Sequence, residues 1–276
     1  MDKIAIISDI HGNLEALNNV LEDIKKRGIT NIYCLGDIVG KGTHQEECVN
    51  LIKDNCQVVL LGNNDYFFSN TWNKELPEID QKRYNWSHRK LSMDSINYLF
   101  NLPFCHEFYL SGRLVRLFHA HPECNYNFIG NIDTIERLYE LFLPSDNTIS
   151  NNKADLVIYG HIHTPYMQRI YNRTIINCGS VGNAFDTFRN PDKDADVLNT
   201  TVANYVILTG ELNSKEMSLL NYEFINLPYD IDKELSFNDD NIEKEAYYNE
   251  IKYGKYRDIE KLDKSYSIRG INKNNI

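Results

Sequence analysis

Short apolar runs and amphipathic segments alternate through the first third of the chain. Lys3–Ser8 reads as a β-rich run, and Leu14, Leu17, Val20, Leu21 and Ile24 then recur at helical spacing up to Gly28, a residue suited to a helix end. Asn31–Leu35 predicts a second strand, His44–Lys53 a second helix and Gln57–Leu61 a third strand. A β-α-β-α-β order implies parallel pairing with right-handed crossovers. Further on, Ile79–Phe100 predicts one or two helices before Pro103, and Glu107–Leu110 and Leu114–Phe118 flank a hairpin turn at Ser111-Gly112-Arg113. A helix over Thr134–Leu143 ends at Pro144, the polar Ser145–Lys153 loop follows, and Asp155–Tyr159 reads as a buried strand. Met167–Tyr171 and Thr174–Cys178 predict a hairpin across Asn172-Arg173, and Ala203–Leu208 and Met217–Phe224 predict two more strands. Beyond Pro228 the chain turns polar, with helical spacing at Ile242, Ala246, Ile251 and Tyr253. The expected organisation is one domain over residues 1–227, with a helical insertion at 66–105, and a helical C-terminal appendage over 228–276.

Composition narrows the class. Hydrophobic residues make up 42% of the 276 and charged residues 25%, which fits a globular chain. The formal net charge of −10 repels polyanions, so nonspecific nucleic-acid binding is not expected. A small phosphorylated substrate is compatible with that charge when positive charge is concentrated locally, as bound metal would do. Cys34, Cys48, Cys56, Cys105, Cys124 and Cys178 show no CxxC spacing and read as reduced thiols. No secretory signal and no apolar stretch long enough to span a bilayer is found, so the expected location is the cytoplasm.

The chemistry clusters where strands end. Ile7-Ser8-Asp9-Ile10-His11, Leu35-Gly36-Asp37, Leu61-Gly62-Asn63-Asn64-Asp65, Phe118-His119 and Tyr159-Gly160-His161-Ile162-His163 each put metal-ligand residue types directly after an apolar run. In open α/β sheets, ligands bind just beyond the carboxyl ends of the strands, so five exits of this kind converge on one place. Asp9 with His11, and His161 with His163, are two residues apart and would project to the same side of an extended backbone. Carboxylate, imidazole and amide oxygen form a mixed O/N set that suits Mn²⁺, Fe, Zn²⁺, Ni²⁺ or Co²⁺, with Mn²⁺ preferred. Asp37 is the natural bridge between two cations. Glycines at three exits suit sharp bends.

These blocks, in this order and spacing, resemble the signature of calcineurin-like metallophosphoesterases. The resemblance spans roughly Met1–Val206 and is strongest to the small bacterial phosphodiesterases and Ap4A-hydrolase-like enzymes. The stretch Asn177-Cys178-Gly179-Ser180-Val181-Gly182 is also similar to a block in those smaller members. The resemblance implies a four-layer α/β/β/α sandwich of two mixed sheets. It further implies two divalent metal ions, the first on Asp9, His11 and His163, the second on Asn63, His119 and His161, with Asp37 between them. Two positions depart from the family pattern. Asn64 stands where a leaving-group histidine is common, and Ala120 stands where glycine is usual.

The implied reaction is in-line attack on phosphorus by a hydroxide shared between the metals. Asn64 is expected to donate a hydrogen bond, Asp65 to orient a ligand histidine, and His121 to replace the missing acid or else to sit apart from the chemistry. Tyr66, Phe67 and Phe68 either stack on a nucleobase or pack under the helical insertion. Arg89 and Arg189 either contact distal phosphates or lie on the surface. Three functions are compatible with this set: a phosphodiesterase or dinucleoside-polyphosphate hydrolase, which Asn64 favours; a phosphomonoesterase or protein phosphatase; and a nonenzymatic metal-binding scaffold. The substrate is expected to be small and phosphorylated, a nucleotide being one candidate.

Overall fold

In the computed structural model, residues 1–70, 76–185, 202–237 and 240–257 are described. Arg189 and the chain beyond 257 lie outside them. Two five-stranded mixed sheets form the centre. The first has the order β10-β9-β1-β2-β3, from β1 (Asp2–Ile7), β2 (Asn31–Cys34), β3 (Val58–Val59), β9 (Ala203–Gly210) and β10 (Asn221–Leu227). The second has the order β4-β5-β6-β8-β7, from β4 (Cys105–Leu110), β5 (Arg113–Phe118), β6 (Leu156–Tyr159), β7 (Tyr166–Ile170) and β8 (Arg173–Asn177). β1, β2 and β3 pair in parallel, as do β5, β6 and β8, so the carboxyl ends of each set share one edge.

Side-chain alternation explains why the central strands read as unbroken apolar runs: both of their faces are buried. Ile4 and Ile6 of β1 join Leu117, Leu156, Ile158 and Ile176 in the core between the sheets. Ala5 and Ile7 face the other way, onto Leu17, Val20 and Ile24 of α1 (Leu14–Lys26) and Val49 and Ile52 of α2 (Gln45–Asn55). On the far side, Val157, Tyr159 and Ile175 meet Leu138 and Phe142, around α6 (Ile135–Glu140). The four layers are helix, sheet, sheet and helix, as the resemblance implied.

Capping and pairing set the boundaries. Asn13 caps α1 by accepting the Ala16 N–H, and Gly28 closes it in the left-handed region, at φ 68°. Helical structure after β3 begins at Asn63, ahead of the expected insertion, in α3 (Asn63–Asn70). The Ile79–Phe100 segment is two helices, α4 (Glu78–His88) and α5 (Met93–Phe100), because Ser92 caps α5 and ends the first run. β10 lies toward the C-terminal side of the expected Met217–Phe224. Its antiparallel register on β9, Asn221 to Thr209 through Leu227 to Ala203, decides the strand, and Met217 and Leu219 stay exposed. The C-terminal part forms α7 (Ile231–Ser236) and α8 (Lys244–Tyr253), whose buried residues are Glu234 and then Tyr247, Glu250 and Ile251. Of the apolar positions whose spacing predicted a helix here, Ile251 is buried, while Ile242 and Tyr253 are exposed. Among the described residues, no helix is long and apolar enough to cross a membrane.

Arg116, three residues before His119 on β5, is fully buried. Its Nε donates to Glu107 at 2.6 Å, and its terminal nitrogens reach the carbonyls of Phe142, Leu143, Ser150 and Asn152. One guanidinium thereby ties the 142–152 loop to the sheet. Arg116→Ala should destabilise the protein by about 3–5 kcal/mol, because it leaves Glu107 buried without its cation and the carbonyls without donors. Arg116→Lys, with three donors instead of five, should recover only part of that in a urea unfolding series.

Candidate metal centre

The loops leaving β1, β2, β3, β5 and β6 hydrogen-bond to one another and form a single platform. Asp9 N–H donates to Gly36 C=O, Ile10 and His11 N–H donate to Asp37 C=O, Gly160 N–H donates to His119 C=O, and Gly182 N–H donates to Asp9 C=O. Asp9, His11, Asp37, His161 and His163 all sit at positive φ, between 51° and 64°. This corrects the extended geometry expected for the Asp9–His11 and His161–His163 pairs: left-handed turns, not strand alternation, aim these side chains together. Such backbone costs of order 1–3 kcal/mol per residue and persists only where surrounding bonds over-determine it. Close approach dictates glycine at two exits. A methyl on Gly160 would lie 2.1 Å from Ser8 Oγ and 2.4 Å from Asp9 Oδ2, and one on Gly62 would lie 2.1 Å from the Asp37 nitrogen. Ala120 is buried without positive φ, so its methyl group is accommodated.

Seven expected ligands are thereby gathered. His163 Nε2 lies 3.2 Å and His11 Nε2 3.8 Å from Asp9 Oδ1. Asp37 Oδ2 lies 3.7 Å from His11 Nε2 and 3.5 Å from His119 Nε2, between the two imidazoles. His119 Nε2 is 3.0 Å from Asn63 Oδ1, the rings of His119 and His161 are 5.2 Å apart, and His161 N–H donates to Asp9 Oδ2 at 2.9 Å. Two overlapping groups, Asp9–His11–His163 and Asp9–Asp37–His119, each bring three ligand atoms within 4.8 Å of one another.

The tautomers follow from the partners. His11 Nδ1 faces Val39 C=O at 3.3 Å, and His163 Nδ1 faces Asn183 C=O at 2.5 Å. A carbonyl only accepts, so both Nδ1 atoms carry hydrogen. Burial lowers the His11 pKa to about 3, with the Asp37 charge opposing, so its Nε2 presents a lone pair at neutral pH. That lone pair lies 3.1 Å from His163 Nε2, which is itself 3.2 Å from the buried Asp9 Oδ1. A cation between these three atoms satisfies all of them. Burial lowers the His161 pKa to about 4, leaving that imidazole basic and uncharged as well. The donor set therefore fits divalent metal.

Three expectations about neighbouring residues resolve differently. Asp65 does not orient a histidine. Its two oxygens accept the backbone N–H groups of Asp37, Ile38, Val39 and Gly62 and hold the β2 and β3 exits together. The ligand rings of His11, His119 and His163 are oriented instead by the carbonyls of Val39, Leu35 and Asn183. His121 is buried with its Nδ1 accepting the Glu123 N–H and its Nε2 3.8 Å from Glu140, so its ring is turned toward α6. Burial also lowers its pKa, which favours the neutral form. Asn64 does reach the site: its Nδ2 donates to Asp37 Oδ2 at 2.6 Å and its N–H to Asp37 Oδ1 at 2.8 Å. Phe68 is buried, and Phe67 packs edge-on against Phe68 and Tyr84. Tyr66 is partly exposed, and Arg89 lies on the surface.

Sequence reading missed a cleft of about 150 Å³ beside Asn64 and Gly40, whose walls include Lys41, Phe68, Arg83, Trp86, Glu243 and Arg257. Each cation there faces a carboxylate: Arg83 binds Glu243, Arg257 binds Glu243 and Glu250, and Lys41 binds Glu250. The walls come from parts of the chain that share no motif, so only folding reveals the cleft.

His119 contributes to the pH dependence of this site, as does Asp65, whose pKa burial and the Asp37 charge raise to about 7. Burial alone would lower the His119 pKa, but the Asp37 charge and hydrogen bond, with Asp9 and Asp65, raise it from 6.5 to about 9. The metal-free protein gains stability from this below pH 6.5 and loses it as pH rises through about 9. A metal must displace that proton, so apparent affinity should rise about tenfold per pH unit between 7 and 8. Calorimetry at pH 7 in buffers of differing ionisation heat should count about one proton released.

The chain matches the calcineurin-like phosphoesterase superfamily domain over residues 2–193. It is 36% identical over 203 residues to an uncharacterized protein of Methanocaldococcus jannaschii, a match covering 66% of this chain and 77% of that one. A solved metallophosphoesterase from Sphaerobacter thermophilus superposes with a TM-score of 0.68 at 22% identity, covering 92% of this chain and 99% of its own. A hypothetical protein from Pyrococcus horikoshii superposes at 0.72 with 17% identity, covering 93% and 100%. These two likenesses show the same fold, with nearly the whole of each relative matched. With the family match and the buried Asp and His groups together, the chain belongs to the calcineurin-like phosphoesterase superfamily and is a metal-dependent phosphoester hydrolase.

Proposed function

We propose that the protein hydrolyses a phosphodiester, dinucleoside polyphosphates included, with two divalent cations, Mn²⁺ the first choice. The observation that carries this reading is the convergence of His11 Nε2, His163 Nε2 and Asp9 Oδ1, the ring nitrogens 3.1 Å apart and the carboxylate oxygen 3.2 Å from His163. Asp9, His11 and His163 would hold the first cation, Asn63, His119 and His161 the second, and Asp37, between His11 and His119, would bridge them. Bound there, the pair supplies a hydroxide nucleophile near neutral pH and stabilises charge on the phosphoryl oxygens. The protein's part is to hold the donors in place, exclude water from around them and keep His11 and His161 unprotonated, while His119 gives up its proton when the cation binds.

Asn64 favours a diester. It stands at the floor of the cleft, where it offers an amide N–H₂ and no titratable proton, so it suits leaving groups that depart without an imidazolium. The cleft also supports that choice. Lys41, Arg83 and Arg257 are balanced by Glu250, Glu243 and Asp80, leaving little surplus charge to attract a dianionic monoester. Phe68 and Trp86 give it apolar walls for the organic part of the substrate. A cytoplasmic setting agrees with six cysteines that are all unpaired.

Metal-reconstituted protein should turn over bis-p-nitrophenyl phosphate faster than p-nitrophenyl phosphate, with Ap4A as the nucleotide probe. Asp37→Ala should lower diester turnover at least about a thousandfold, since it removes the carboxylate that both sites share. Turnover confined to the monoester would overturn the diester reading. Metal binding without any turnover would favour a scaffold.

A further inference from the structure

The C-terminal helix buries a charge with no evident use in packing. Glu250 of α8 is fully inaccessible, and its carboxylate accepts from Lys41 Nζ at 3.2 Å and from Arg257 Nε and Nη2 at 2.7 and 2.8 Å. Burial would raise its pKa, but Lys41 and Arg257 hold it at about 2, so it is ionised. It also accepts the Arg257 backbone N–H, and its bond to Asn183 is the informative one. Asn183 Nδ2 donates to Glu250 Oε2 at 3.2 Å, and the backbone carbonyl of the same Asn183 accepts His163 Nδ1. Asn183 is held from its other side by Ser180 Oγ, which itself donates to the Asp9 carbonyl. A second contact runs in parallel: Phe185 stacks on the His163 ring at 4.4 Å and on Tyr256 at 4.4 Å. One imidazole of the candidate metal site is thus oriented by a turn that α8 and the residues after it hold in place.

We propose that Glu250 is a positioning residue for the metal centre, fixing the ring of His163 through Asn183, so that docking of α8 and metal binding at Asp9–His11–His163 reinforce each other. The proposal rests on the metal-site reading given above. A carboxylate buried among two cations is rarely the most stabilising choice for a core position, whereas one that holds a ligand's hydrogen-bond partner affects how well the site is organised. Because the coupling is a free energy shared by two events, metal should tighten α8 as much as α8 tightens metal.

The test titrates Mn²⁺ calorimetrically into the full-length protein and into Glu250→Gln, Asn183→Ala and Glu234→Gln. Glu234 is the control: it is buried on α7, bonded to Tyr247 and the Glu15 N–H, and has no bond to a candidate ligand. Asn183→Ala cuts the link while leaving Lys41, Glu250 and Arg257 together, so it serves even if Glu250→Gln folds poorly. Glu250→Gln and Asn183→Ala should each weaken Mn²⁺ binding about tenfold, the usual loss when a ligand's orienting partner is removed. Glu234→Gln should stay within about twofold while its melting temperature falls. Amide hydrogen exchange in α8 should slow on Mn²⁺ addition in the parent protein and in Glu234→Gln, and not in the other two variants. Parent-like affinity in both Glu250→Gln and Asn183→Ala would make Glu250 a stability residue only and overturn the proposal. A parent protein that binds no Mn²⁺ would overturn the metal-site reading itself, a distinguishable result.

Discussion

His11 and His163 turn their Nε2 atoms toward each other across 3.1 Å in the interior, with Asp9 Oδ1 3.2 Å from His163 Nε2. Asp9 Oδ1, His11 Nε2 and His163 Nε2 converge there as one group of ligand atoms, an arrangement that a bound cation would stabilise. Asp9, Asp37 and the imidazoles of His11, His119 and His163, gathered out of solvent, would otherwise be among the least stable features of the chain. Much of the surrounding structure keeps this cluster from relaxing. Carbonyls lock the ring tautomers, Asp65 binds four backbone N–H groups under the β2 and β3 exits, and glycine at 62 and 160 lets the loops touch.

The two-sheet architecture makes that rigidity possible. Asp9 and Asp37 come from β1 and β2 of the first sheet, and His119, His161 and His163 from β5 and β6 of the second. A close-packed apolar core between the sheets fixes their separation, so one half of the ligand set cannot drift from the other without opening that core. The strained φ values at five ligand positions are stored in loops that bond across the sheets, as in the Gly182 N–H to Asp9 C=O bond. Strain at these residues and order in the cores are two sides of one arrangement.

The C-terminal helices extend the same logic outward. Their polar, charge-rich sequence reads as an appendage, yet Glu250 and Arg257 are buried against Lys41 and the turn that carries Asn183. They also close one side of the cleft next to Asn64. The part of the chain with the weakest motif content therefore shapes the surroundings of the part with the strongest.

Element types and the metal-ligand residue types at the strand exits were legible in the sequence, because strand-period and helix-period burial and polar residues at strand ends are local patterns that survive without coordinates, whereas the two mixed sheets came from the family resemblance. Locally invisible features went unread or misread. The Asp9–His11 pair was taken as extended, since left-handed turns at Asp and His are fixed by bonds to Gly36 and Asp37 that no local spacing encodes. Asp65 was assigned to a histidine, since four backbone donors from two other loops cannot be seen along one strand exit. The chain alone determined which atoms are available to bind a metal. Only the tertiary structure decided how they face one another, because tautomer, burial and the convergence of ligand atoms are properties of neighbours brought together from more than a hundred residues apart.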